Sequence, residues 1–320
     1  MKAIVYTKYG SPDVLRLEEV EKPTPKEDEV LVEVHAASVN DWDWGLLRGK
    51  PFVNRLLFGL RKPKVKILGC DIAGRVEAVG RNVKQFQPGD EVFGDISGCG
   101  MGGFAEYVCA RENVLAPKSA SMTYEQAAAV PQAAVLALQG LRKGQIQPGQ
   151  KVLINGAGGG VGTFGMQIAK SFGAEVTGVD STGKLDMVRS IGADQVIDYT
   201  KEDFTKSGRR YDLILDVVVY RSILDYKRAL SPKGIFVMIG GSIPRVFLIA
   251  LTAPLITRSK KLVILAHKPN SKDLIFMNNL FEAGKVAPVI DRRYPLSEVP
   301  EALRYFGKGH VQGKVVITVR

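Results

Sequence analysis

The chain has 320 residues, 45% of them hydrophobic and 24% charged, and a formal net charge of +11. This is ordinary composition for a folded chain of about two domains, and it excludes a disordered or low-complexity protein. No stretch reaches the ~18 consecutive apolar residues that a spanning helix needs and nothing near Met1 resembles a signal peptide, so the expected location is the cytoplasm. Cys70, Cys99 and Cys109 show no C-x-x-C spacing, which argues against a disulfide framework or a cysteine-rich zinc knot and leaves free thiols.

Met1–Tyr6 alternates into a strand, and up to about Ser121 short Val-rich segments punctuated by Gly and Pro predict a β-rich domain. Glu29–His35 and Asp71–Val79 are its clearest strands. Between them Arg48, Lys50, Arg55, Arg61, Lys62, Lys64 and Lys66 interleave with Phe52, Leu56, Leu57 and Phe58. That stretch reads as a solvated loop or surface helix, a rim for anionic ligands, or a membrane-surface contact. No nucleic-acid motif accompanies the charge, so no nucleic-acid partner is expected.

From Met122 the pattern changes. The segment AAAVPQAAVLALQGL predicts a helix, and Val152–Ile154 a short buried strand. Gly156, Gly158, Gly159, Gly160 and Gly162 crowd the turn that follows. Val161, Phe164, Ile168, Ala169 and Phe172 then mark one face of a helix that Gly173 ends, and Glu175–Val179 form a second strand finishing at Asp180. The dinucleotide pattern G-x-G-x-x-G is met with Ala157 in the first place, then Gly159 and Gly162, and Asp180 is the acid about 20 residues on. A bare helix N-terminus offers N–H groups and partial positive charge to a pyrophosphate.

Downstream come a helix at Lys184–Ile191, strands at Gln195–Ile197 and Leu213–Val217, a helix at Ser222–Leu230 and a strand at Ile235–Ile239. This alternation predicts a parallel sheet covered on both faces. Gly240, Gly241 and Ser242 end the strand at Ile235–Ile239 with bare backbone. The apolar run Val246–Ile256, broken by Pro254, is too short for a stable membrane anchor and reads as a pocket wall or subunit interface. A strand at Leu262–Ala266, a helix from Asn278, a second helix at Glu298–Phe306 and a strand at Lys314–Val319 complete the chain.

Gly69, Asp71, Gly74, Val79, Gly80, Phe86, Gly89, Asp90 and Val92, the segment GGFAEYV, the AAAVPQAAVLALQGL helix and the closing GKVVI together resemble the medium-chain dehydrogenases/reductases. The nearest branch is that of the zinc-free quinone oxidoreductases, which includes zeta-crystallin. The resemblance covers almost the whole length. It implies an α/β chain in which a Rossmann doubly wound parallel sheet (122–268) is inserted into a GroES-like β-rich substrate domain (1–121 plus 269–320). The ligand crevice is then expected at the carboxyl ends of the strands, and a homodimer by analogy.

The resemblance also assigns residues. Asn40 and Asp43 match the family's asparagine and acid near the nicotinamide ribose, Asn40 orienting cofactor or substrate or simply capping a turn. Ala157, Gly158, Gly159, Gly160, Val161, Gly162, Asp180, Ser181, Thr182, Lys184, Tyr199, Val217, Gly240, Gly241 and Lys314 form the expected cofactor set. Asp180 alone would favour NADH, whereas the Lys184–Tyr199 spacing resembles that of NADPH-using relatives; the balance favours NADPH, with NADH the alternative. Asn40, Cys70-Asp71 and the Val130-Pro131-Gln132 region stand where zinc-dependent members carry their catalytic ligands, so no zinc is expected.

Where relatives carry a tyrosine, this chain reads VNDWDWGLLRG. His35, His267 and His310 sit in no catalytic pattern, which leaves water as the proton source. Tyr220 follows Val217-Val218-Val219 where the family usually has a glycine pair. The expected activity is hydride transfer from NAD(P)H to a small quinone or α,β-unsaturated carbonyl compound. The alternatives are an enoyl-thioester reductase, an alcohol dehydrogenase, or a crystallin-like NADPH-binding protein.

Overall fold

Long apolar strands carry the N-terminal part of the chain, and the computed structural model describes residues 1–241, 243–256 and 261–320. The chain divides into two units, one of 1–133, 269–282 and 290–320, the other of 134–268 and 283–289. In the first, β1 (Lys2–Val5) pairs antiparallel with β2 (Arg16–Glu19). Then come β3 (Glu29–Val39), α1 (Asp41–Arg48), α2 (Val53–Phe58), β4 (Asp71–Val79), β5 (Glu91–Asp95), β6 (Tyr107–Arg111), β7 (Leu115–Pro117) and α3 (Tyr124–Ala128).

The chain passes along α4 (Pro131–Lys143) into β8 (Lys151–Asn155), α5 (Gly160–Ser171), β9 (Glu175–Asp180), α6 (Leu185–Ser190), β10 (Gln195–Asp198), β11 (Tyr211–Asp216), α7 (Ile223–Ala229), β12 (Leu230–Met238), α8 (Ile243–Ile256) and β13 (Lys261–Ile264). It closes with α9 (Ser271–Glu282), β14 (Ile290–Pro295), α10 (Val299–Gly307) and β15 (Lys314–Thr318).

The first unit's main sheet runs β14-β15-β3-β4-β5-β7, with β6 also on β3. β3 is longer than its local pattern predicts because a second ladder takes it over. Glu29–Glu33 pair with β6, and Ala36–Val39 pair with β15. Val30, Val32, Val34, Ile72, Val92 and Ile96 bury together on this sheet. Gly74 lets the strands close up, since a Cβ there would lie 2.0 Å from the Glu33 carbonyl oxygen.

The second unit holds a six-stranded sheet in the order β10-β9-β8-β11-β12-β13, every pair parallel. Numbered within the unit this is 3-2-1-4-5-6, the doubly wound order that binds dinucleotides where the order reverses, here between β8 and β11. Val152, Leu153 and Ile154 are fully buried, as strands covered on both faces must be.

Two further elements differ from expectation. The helix at AAAVPQAAVLALQGL is two helices, because Thr123 caps α3 and Pro131, which lacks an N–H, starts α4 afresh. α9 begins at Ser271, well before Asn278, since the Asn270 side chain accepts from Asp273 N at 2.9 Å and Leu274 and Met277 are buried. The apolar run near Val246 lies in α8, which leaves Phe247, Leu248 and Leu251 exposed. Among the described residues no helix is long and apolar enough to cross a membrane. Ser242 lies outside the described residues.

Candidate functional site

The glycine turn of the second unit is braced from below. Gly156 takes φ +85°, and the N–H groups of Gly156 and Ala157 both donate to the Val179 carbonyl at 3.0 and 3.1 Å. Gly158 N donates to Asp180 Oδ2 at 2.8 Å, while Asp180 Oδ1 accepts from Ser181 N at 2.8 Å. Asp180 is thereby committed to the turn. A Cβ on Gly162 would fall 2.0 Å from the Gly156 carbonyl oxygen, which is why the first turn of α5 packs this closely only with glycine.

Gly159 is the helix N-cap and supplies no side-chain cap. A Cβ on Gly159 would meet only Gly156 O, at 3.6 Å, and Gly159, Gly160 and Val161 are partly exposed. The space over this N-terminus therefore fits a pyrophosphate, which would be held by first-turn N–H groups and the helix dipole.

The second unit also carries most of the other expected cofactor residues. Lys184 lies across the turn, its Cδ 2.8 Å from where a Cβ of Gly158 would be, and its Nζ is 3.9 Å from Asp180 Oδ1. The Thr182 hydroxyl donates to the Asp198 carboxylate. Tyr199 is 46% exposed and its ring centroid lies 6.4 Å from that of Tyr220, on which the Arg221 guanidinium stacks at 4.8 Å. Gly240 lets β12 pass the Val217 carbonyl, since a Cβ would come within 2.0 Å of that oxygen. Gly241 has φ +118° and is exposed.

Sequence reasoning missed the pair that shapes the Val217–Tyr220 loop. Asn155 and Asp216 face each other across β8 and β11, and the Asn155 amide donates to both Asp216 oxygens at 3.0 Å. Asp216 Oδ1 also accepts from Val218 N (2.9 Å) and Val219 N (2.7 Å). These bonds hold Val219 at φ +50°, rare for a β-branched residue. Burial raises the Asp216 pKa. The available signal was a polar residue ending each of two apolar strands.

In the first unit a second polar cluster gathers where β3, β4 and β15 meet α1. Asn40 is the N-cap of α1, and its N–H donates to Asp43 Oδ2 at 2.9 Å. Asp43 Oδ1 accepts from Gly69 N at 2.8 Å. The Asn40 amide NH2 donates to Asp71 Oδ2 at 2.9 Å and reaches Cys70 Sγ at 3.3 Å. Asp71 also accepts from the Ser38 hydroxyl (3.1 Å) and Gln132 N (3.0 Å). Lys314, 2% exposed, donates to Asn40 Oδ1 and to the Val39 carbonyl at 3.3 Å, and stands 3.5 Å from Asp71 Oδ2. The amide of Asn40 is thus fixed from both ends. Lys314 lies with Asn40 and Asp71, and Asp43 is fully buried as a brace of α1.

The two buried carboxylates titrate far from their ordinary range. Burial pushes Asp43 up to about 7, against the lowering effect of the Gly69 and Asn40 N–H groups. Burial also raises Asp71 to about 6, with the Lys314 charge opposing. A raised carboxyl pKa means the native state keeps a proton that the unfolded chain releases. Its contribution is complete below pH ~4 and is lost as the pH rises through about 7, a difference on the order of 4 kcal/mol. Urea unfolding at intervals across that window should show stability falling with pH more steeply in the native protein than in Asp43→Asn; equal slopes would contradict this ionisation.

Cys70, Asp71 and Asp95 bring donor atoms within 4.8 Å of one another, and among the described residues no histidine joins them. Asp95 Oδ1 already accepts from Ser97 N at 2.8 Å. With Asp71 accepting from three donors and an ammonium 3.5 Å away, this set does not fit a catalytic zinc.

A doubly wound sheet with this braced turn defines a dinucleotide-binding protein. Residues 26–120 match the alcohol dehydrogenase GroES-like domain and residues 191–317 a family described as zinc-binding dehydrogenase. The chain is 38% identical to a 2-methylene-furan-3-one reductase of Solanum lycopersicum and 35% identical to a chloroplastic NADPH-dependent alkenal/one oxidoreductase of Arabidopsis thaliana. Each match covers 99% of this chain and 79% of the relative. The solved quinone oxidoreductase of Coxiella burnetii superposes with a TM-score of 0.89 at 30% identity, over 100% of this chain and 99% of that one. The chain belongs to the medium-chain dehydrogenase/reductase superfamily, in its quinone oxidoreductase branch.

Proposed function

We propose that this protein uses NADPH, without zinc, to reduce conjugated carbonyl compounds or quinones. The observation that carries the reading is the uncapped glycine turn braced by Asp180, in a chain whose relatives are named as alkenal/one and quinone oxidoreductases. When bound, the cofactor supplies hydride from its nicotinamide. The negative charge that arrives with hydride spreads through conjugation onto the acceptor's oxygen, so no Lewis acid has to hold it. The Cys70, Asp71 and Asp95 donor set supports the zinc-free reading by its poor fit to that metal.

The chain's own residues bind and orient. First-turn N–H groups of α5 take the pyrophosphate, and the bare backbone of Gly240 and Gly241 allows close approach beside Val217. Lys184 and Tyr199 take the 2′-phosphate. Asp180 does not repel that phosphate as strongly as a free acid would, because both its oxygens accept backbone N–H groups. Lys314 and Asp71 lock the Asn40 amide, which orients cofactor or substrate, and the proton comes from water.

NADPH oxidation with an enone and with a quinone should persist after chelator treatment, and a simple alcohol with NADP+ should give no turnover. Metal-restored alcohol oxidation would replace this reading. Lys184→Ala should raise KM for NADPH by about 10- to 100-fold, the loss of one charged hydrogen bond, and leave KM for NADH nearly unchanged. Equal effects on both cofactors would remove Lys184 from the 2′-phosphate.

A further inference from the structure

The stretch from Arg48 to Lys66 carries seven cations and no acidic residue, interleaved with large apolar side chains. One side of it is fastened down. Asn54 is buried and its Nδ2 donates to the Lys50 carbonyl at 3.1 Å, Phe58 packs edge-on to Trp42 at 5.8 Å, and the Tyr9 hydroxyl donates to the Gly59 carbonyl at 2.6 Å. The Arg55 guanidinium lies over the Tyr9 ring at 4.8 Å. The other side is left in water: Phe52 is 60% exposed, Leu56 61%, Leu57 63% and Leu60 55%. Lys50, Arg61, Lys62, Lys64 and Lys66 are exposed in the same segment.

A cluster of exposed apolar side chains on a fastened segment is an interaction surface, and its charge chooses the partner. A second copy would bring the same seven cations against these seven. A nucleic acid would offer phosphates to the cations and force the leucines against a polar backbone. An anionic bilayer satisfies both components, with lipid phosphates at the cations and the apolar tips at the acyl boundary. We propose that the Arg48–Lys66 segment docks this protein reversibly on anionic phospholipid surfaces. The docking is independent of the reaction catalysed.

The test is flotation of the full chain with phosphatidylcholine vesicles, with and without phosphatidylglycerol, at low and high salt. Binding is expected only to the anionic vesicles and should weaken with salt. Combining Arg61→Gln, Lys62→Gln and Lys64→Gln should lower partitioning about a hundredfold. Leu56→Ser with Leu57→Ser should lower it about tenfold or more. Both variants should keep the thermal midpoint and the turnover of a water-soluble enone. The proposal is overturned if the chain does not float, if neither variant changes flotation, or if the leucine variant instead dissolves an oligomer seen by light scattering. A raised KM for the soluble enone in the leucine variant would also overturn it, since those leucines would then line the substrate site.

Discussion

Gly162→Ala is expected to abolish tight NADPH binding while costing the fold about 3 kcal/mol. The added Cβ would lie 2.0 Å from Gly156 O and 2.7 Å from the Cα and carbonyl carbon of Ala157, all of them backbone atoms. Neither side can yield cheaply. The turn is pinned through Gly156 and Ala157 to Val179 and through Gly158 to Asp180, and Thr163 and Phe164 of α5 are buried beside it. Any relief must tilt the helix N-terminus away from the turn, which displaces the N–H groups proposed to take the pyrophosphate. Affinity for NADPH in a fluorescence titration should fall about a hundredfold or more, equivalent to losing two charge-assisted hydrogen bonds. Gly183→Ala is the control, because a Cβ there meets nothing within 4 Å. Wild-type affinity in Gly162→Ala would mean that the turn is not the cofactor cradle.

Lys314→Met should destabilise the protein by about 3–5 kcal/mol, because it leaves buried acids with no compensating charge. Methionine fills much the same volume, so packing is largely conserved. What is lost is the ammonium 3.5 Å from Asp71, together with the donor that fixes Asn40 Oδ1. The defect should shrink at acid pH, where protonation of Asp71, already raised to about 6, removes the uncompensated charge. Adding Asp71→Asn to Lys314→Met should recover part of the loss at neutral pH and little at acid pH, a coupling that urea unfolding resolves. A Lys314→Met protein as stable as the parent at both pH values would show that the ammonium does not compensate these acids. The same substitution frees the Asn40 amide to rotate, so kcat should fall further than the loss of folded protein explains.

The two clusters differ in how much of them could be read from the sequence. The strand, turn, helix and strand from Lys151 to Asp180 lie within a short stretch, so period and glycine placement display them directly; the alternating elements predict a parallel sheet, while its doubly wound order rested on the family resemblance. The partnership of Lys314 with Asn40 joins residues 274 apart in the chain. No periodicity carries that. Lys314 opens the apolar strand GKVVI, and its sequence reading as a cofactor residue did not reveal its acid partner. Asn155 and Asp216, 61 residues apart, are legible only once β8 and β11 are placed side by side. The length of β3 escaped for the same reason, since its second half is set by pairing with the far end of the chain. The start of α9 lay within local reach: Asn270 was a readable cap before the first buried turn.

The most direct test of the central claim is to follow deuterium from 4-deuterated NADPH into a simple conjugated enone, with NADH alongside and a chelator present, reading the product by mass spectrometry. Deuterium on the β-carbon, delivered faster from NADPH and with metal removed, is the predicted result. Cofactor binding with no deuterium reaching any enone, quinone or thioester would contradict it and leave a nucleotide-binding protein without this chemistry.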